Sequence, residues 1–184
     1  MNNLFIFVEG DDDKHFVEKI LTKLFLSKSI NIIPICYQKK RNIEIIKHIH
    51  RIRLTKNQDY ILLSDFDFQY PCITSRKNKR INEFSNENYD CLDLDKIFIV
   101  KLEIESWYIS GIDNSLDQFK DFDIPDDTEN ISKETFDNQL KNSQFSSKLD
   151  LLIEISKFYN YKLAISRNKS LKYFLKKLDL IKYI

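Results

Sequence analysis

Leu4-Phe5-Ile6-Phe7-Val8 runs through Glu9-Gly10 into three aspartates, behind which apolar residues recur at Phe16, Val17, Ile20, Leu21, Leu24 and Phe25. A continuous apolar run rich in aromatic and β-branched residues reads as a strand buried on both faces, and the three-to-four spacing behind an acidic turn reads as a helix. A strand that turns directly into a helix is the start of a βα unit. The pattern then repeats, with a strand at Ile30 to Cys36, a helix from about Asn42 to Leu54 and a strand at Tyr60 to Leu63. Such alternation predicts a parallel sheet with right-handed crossovers and helices on its faces. A fourth strand, Lys96 to Leu102, follows a polar connection and leads into a short helix through Trp107. The expected fold class is α/β, a Rossmann-like parallel sheet of about four strands flanked by helices, with a helical C-terminal part.

From Gly111 to Asn130 the chain turns acidic, with Asp113, Asp117, Asp121, Asp123, Asp126, Asp127 and Glu129 against Lys120. This stretch reads as a solvated insertion or lid. Helical periodicity returns at Phe145 to Tyr159 and Leu171 to Leu180, with a short strand expected between them at Tyr161 to Ile165. The expected organisation is therefore a core at 1–110, followed at 111–184 by the acidic segment and a basic helical part packed on that core. At 184 residues the chain is long enough to bury a real core, and 42% apolar with 31% charged residues is a globular balance.

The longest apolar runs fall far short of the roughly 20 residues that span a bilayer, so no membrane role is expected. Met1 to Val8 lacks the layout of a secretory signal, and the expected location is cytoplasmic. Cys36, Cys72 and Cys91 are odd in number and widely spaced, which fits neither a disulfide framework nor a zinc site; reduced, packed thiols are expected.

The chemistry gathers at strand ends. Gly10 is one of only two glycines and sits where the first strand meets the first helix, a place where unusual backbone conformation is often needed and where ligands of open α/β sheets bind. Asp65-Phe66-Asp67 directly follows the third strand, so both carboxylates can leave one face of its extended end. If the first and third strands are neighbours, Glu9, Asp65 and Asp67 converge. Such a cluster needs a compensating cation, and hard oxygen ligands favour Mg²⁺ or Mn²⁺.

Val8-Glu9-Gly10-Asp11-Asp12-Asp13-Lys14-His15-Phe16 resembles the V-E-G-x-x-D-x-x-F opening of TOPRIM domains, and Asp65-Phe66-Asp67 resembles their D-x-D motif. Glu105-Ser106-Trp107 resembles the glutamate beside a tryptophan found after D-x-D in OLD-like and phage-defence TOPRIM proteins. The resemblance covers about the first 110 residues. It implies a TOPRIM sheet, acid/base catalysis or metal binding by Glu9, Mg²⁺ held by Asp65 and Asp67, and Glu105 as a further ligand, with Asp13 matching the motif. The tyrosine-bearing domain of a topoisomerase, the polymerase parts of a primase and the ATPase of a long OLD protein do not appear, and no glycine follows Asp67.

Several of these residues also have simpler readings. Asp11 and Asp12 suit a helix N-terminus, Asp13 can orient the turn, and Glu103 competes with Glu105, two residues apart on one strand face. His48 and His50 lie among Lys47, Arg51 and Arg53 on what reads as a solvated face, and Trp107 reads as core. Phosphate contact is expected from Lys40, with Lys39 and Arg41, from a patch of Arg76, Lys77, Lys79 and Arg80, and from Arg167 and Lys169; Gly10 would let substrate approach. The expected activity is Mg²⁺-dependent hydrolysis of DNA or RNA, in phage defence by resemblance. The alternatives are a non-catalytic or partner-dependent subunit docking on an ATPase, or phosphoryl or nucleotidyl transfer on a small nucleotide. Nucleic acid, an ATPase partner and a homodimer are the expected associations.

Overall fold

The computed structural model describes residues 2–66, 70–89 and 92–184. The chain divides into two compact units, Met1–Val100 and Lys101–Ile184.

In the first unit, β1 (Asn2–Val8), β2 (Ile30–Cys36), β3 (Gln58–Asp65) and β4 (Ile97–Val100) form one parallel sheet in the order β2-β1-β3-β4. Between β1 and β2 run α1 (Asp11–Phe16), a π-helical turn (Val17–Leu21) and α2 (Thr22–Ser27); α3 (Asn42–Leu54) links β2 to β3 and α4 (Ile73–Glu83) lies between β3 and β4. The fold class read from the sequence is the one found. β2 and α3 begin and end where the pattern placed them, whereas β4 is shorter than expected because Leu102 takes a left-handed φ of 68° and the extended run stops at Val100.

Alternation along the pleat sends Phe5, Phe7, Tyr60, Leu62 and Ile97 to one face. There they pack with Ile45, Ile46, Ile49 and Ile52 of α3 and with Phe84, the residue after α4. His48 and His50 are not on a solvated face: both are half-buried, His48 edge-on to Phe5 and Phe7 and His50 edge-on to Tyr89. Cys36 is half-buried and Cys72 is exposed at the N-cap of α4, so packing does not account for Cys72; Cys91 lies outside the described residues.

The second unit is helical: α5 (Glu105–Ser110), α6 (Lys133–Lys141), α7 (Lys148–Phe158), α8 (Tyr161–Arg167) and α9 (Lys169–Lys177). The segment Tyr161 to Ile165, expected as a strand, is the start of α8. Asn160 decides this, since its Oδ1 accepts from the Lys162 and Leu163 amides and caps the helix. Glu103 and Glu105 likewise do not share a strand, because Glu105 opens α5. The acidic segment keeps Asp117, Asp121, Asp123, Asp126 and Asp127 on the surface but buries Phe119, Phe122 and Glu129. Trp107 is fully buried and donates from Nε1 to Ser170 Oγ at 2.8 Å. Among the described residues no helix is long and apolar enough to cross a membrane.

Candidate functional site at the carboxyl ends of β1 and β3

The crossover from β1 goes to β2 on one side, and the next crossover returns to place β3 on the other side of β1. The carboxyl ends of β1 and β3 therefore flank the switch point of the sheet, where open α/β folds leave a crevice. Glu9 is the residue after β1, and Ser64 and Asp65 end β3.

The register Phe7↔Leu62 continues to bring Glu9 beside Ser64, and both fall on the α3 face by alternation. Glu9 Oε1 accepts from Ser64 Oγ at 2.8 Å, Tyr37 Oη at 2.9 Å and the Asp65 amide at 3.2 Å; Oε2 accepts from Gln38 Nε2 at 3.2 Å. From α4, Arg80 Nη2 pairs with the same Oε1, and Arg76 Nη2 lies 3.4 Å from it. Glu9 and Arg80 are 12% and 13% exposed and Arg76 only 3%, so these are interior charges.

The electrostatics follow from that crowding. Burial pushes the Glu9 carboxyl up, but the Arg80 charge and the hydrogen bonds from Ser64, Tyr37 and the Asp65 amide outweigh it and hold the pKa below the ordinary 4.5. Burial and the neighbouring Glu9 charge raise the Tyr37 phenol well above 10.0, so it is a permanent donor. Burial works against the Arg80 guanidinium, yet Tyr37, Glu9 and Glu83 keep it protonated beyond its ordinary value.

Of the residues singled out in the sequence, Glu9, Asp65, Arg76 and Arg80 meet here. Asp65 meets Glu9 through its backbone: its amide donates to Glu9, and its carbonyl accepts from Arg76 Nε at 2.9 Å. Its side chain alternates to the face of Ile61 and Leu63. Asp67 lies outside the described residues, and among those described no three His, Cys, Asp or Glu side chains form a group that could hold a metal. Glu9 and Asp65 nonetheless offer hard carboxylate oxygens, a donor type that suits Mg²⁺ or Mn²⁺ and not a soft ion.

Asp13 is buried and its Oδ2 accepts the Gly10 amide at 3.0 Å, fixing the turn that follows Glu9. Gly10 has φ −127°, an extended backbone open to any residue, so its conformation is not the unusual one expected. Lys40 is exposed on the loop after β2. In the second unit, Glu105 is buried and pairs with Lys148 at 2.7 Å. Arg167 Nη1 donates to the Ile112 carbonyl at 2.7 Å, and Lys169 lies 3.4 Å from Asp127.

Sequence reasoning passes over Tyr37 and Ser64, and offers Arg80 only as part of a patch that would contact phosphate. The available signal was the pair Arg76 and Arg80, four residues apart in a stretch with few apolar residues, which puts two guanidiniums on one helix face.

No family model matches the sequence, and no curated protein matches it. Among solved structures, the chain is similar over 87% of its length to 90% of the C-terminal region of the Burkholderia pseudomallei OLD protein, at 15% identity and a TM-score of 0.47.

Proposed function

We propose that this chain is a Mg²⁺- or Mn²⁺-dependent phosphodiesterase acting on DNA or RNA, with Glu9, Asp65 and Asp67 as the residues that would hold the metal. The observation that carries the reading is the meeting of Glu9 and the Asp65 strand end at the switch point of a parallel sheet. When bound, the metal would supply charge neutralisation of a phosphate and activation of water.

The chain's own residues fit the anionic half of that task. A carboxyl held below 4.5 is ionised at neutral pH, the state in which Glu9 would hold a metal or take a proton from water. Tyr37, Ser64 and the Asp65 amide fix its orientation. Lys40, exposed on the loop after β2, would meet phosphates, and Asp13 holds the Gly10 turn behind Glu9.

A second reading, a subunit active only with an ATPase-containing partner, is favoured by one observation: Glu9 is neutralised by Arg80 and Arg76. One assay tests both. Labelled plasmid, single-stranded DNA and structured RNA are incubated with the purified chain and Mg²⁺, Mn²⁺ or EDTA, alongside folded Glu9→Gln and Asp65→Asn/Asp67→Asn variants. Metal-dependent cleavage lost in both variants is the expected result. Cleavage that survives in them overturns the site, and no cleavage on any substrate leaves the partner-dependent subunit.

A further inference from the structure

Arg80 and Glu9 each have partners besides one another, two of which, Ser64 and Tyr37, they share. Arg80 Nε donates to Ser64 Oγ at 2.8 Å, its Nη1 donates to Glu83 Oε2 at 2.7 Å, and its guanidinium carbon lies 5.5 Å from the centre of the Tyr37 ring. Glu9, for its part, accepts from Tyr37 Oη, Ser64 Oγ and the Asp65 amide, three donors besides the guanidiniums. Arg76 is engaged differently, tied to the Asp65 carbonyl and lying over the Tyr70 ring at 5.0 Å. The charge beside Glu9 can therefore change without the carboxylate losing its aim.

The charge on Glu9 is also offset. Arg76 and Arg80 bring two positive charges to it, and Glu83, which shares Arg80, has Lys79 3.9 Å away. A cation approaching Glu9 meets a neutralised carboxylate with a guanidinium already on Oε1. We propose that Arg80 is a built-in cation that competes with a divalent metal for Glu9, so that this one side chain sets the metal affinity of the site. The inference rests on the metal-dependent reading above, and it makes Arg80 an affinity-determining residue that acts through Glu9. It also gives the second reading a physical form: whatever draws α4 away from β1 frees the carboxylate.

The direction of the effect separates this role from simple support. Removing a positive charge a few ångströms from a divalent ion strengthens its binding by at least about tenfold, whereas removing a prop that aims Glu9 weakens it. Mn²⁺ binding to the full chain is measured by calorimetry for wild type, Arg80→Gln, Arg80→Lys and Glu9→Gln. Arg80→Gln is expected to bind Mn²⁺ at least about tenfold more tightly, and Arg80→Lys, which keeps the charge and loses the fork, to stay near wild type. Equal or weaker binding in Arg80→Gln overturns the inference while leaving Glu9-dependent Mn²⁺ binding, and so the metal reading, in place. Mn²⁺ binding that is absent in every variant, or indifferent to Glu9→Gln, removes the metal reading and this inference together. Should Arg80→Gln fail to fold, the Arg80 Nε–H resonance of the wild-type chain is followed as Mg²⁺ is added. A shift that saturates with the metal supports competition, and a fixed resonance while Mg²⁺ binds overturns it.

Discussion

Because the Glu9 carboxyl titrates below its ordinary value when folded, it links stability to pH with a definite sign. Its contribution is fully present above the unfolded value near 4.5 and is lost as pH falls through the lower folded value. Urea midpoints measured from about pH 6 down to about pH 3 should fall for wild type. In Glu9→Gln the part of that slope due to this group should vanish, with stability at neutral pH lower by roughly 1–3 kcal/mol because Arg80 loses its counter-charge. An identical pH slope in both proteins would show that Glu9 is not the linked group. Tyr37 offers a second check. Its hydroxyl donates to Glu9, with the Leu63 carbonyl 3.3 Å away, and Tyr37→Phe leaves a buried carboxylate short of one donor. A loss of about 1–2 kcal/mol in denaturant unfolding is expected, and a neutral result would mean that the other donors suffice.

At the scale of elements, the α8–α9 corner shows what a single side chain can hold. Asn168 is fully buried between the two helices; its Oδ1 accepts from the Leu171 amide at 2.9 Å and from Ser170 Oγ at 2.8 Å, while its Nδ2 donates to Thr128 Oγ1 at 3.2 Å. Asn168→Ala removes a cap and strands buried partners, so a loss of about 2 kcal/mol is expected in thermal or urea unfolding; a change under about 0.5 kcal/mol would show the cap to be dispensable. The same corner marks where the sequence was hard to read. β1, β2 and α3 announce themselves through continuous apolar runs and helical periodicity, because burial alone sets their pattern. α8 was mistaken for a strand because Leu163-Ala164-Ile165 is a short apolar run, and the Asn160 cap that turns it into a helix is a one-residue signal. α4 escaped notice for a different reason: its inward face carries Arg76 and Arg80, so the helix has a charged interior stripe where an apolar one would be sought. Glu9 and Asp65 were legible because they adjoin strands that were legible. Tyr37, Ser64 and Arg80 lie 28, 55 and 71 residues from Glu9, and only the sheet order brings them to it.

For the molecule as a whole, the division at Val100 and Lys101 gives each unit a core of its own. The first is built on the sheet, with Phe7, Tyr60, Leu62 and the isoleucines of α3. In the second, Trp107 packs against Phe174 and Phe119 against Phe122 and Phe145. Damage confined to one core should then register unevenly along the chain. Gly111 supplies a sharp lesion, because a Cβ there would come within 2.3 Å of the Tyr159 ring, while the Gly111 carbonyl accepts the Asn160 amide at 2.9 Å. The ring has little room to yield, since Tyr159 Oη donates to the Trp107 carbonyl at 2.8 Å. Gly111→Ala should cost roughly 1–3 kcal/mol through overpacking. Native-state hydrogen exchange is expected to show protection falling in peptides from 101–184 while amides of β1 and β3, including the Asp65 amide that holds Glu9, keep theirs. A uniform fall across both units would mean that they open as one cooperative body, and the candidate site would then be as vulnerable to a lesion at Gly111 as to one in its own sheet.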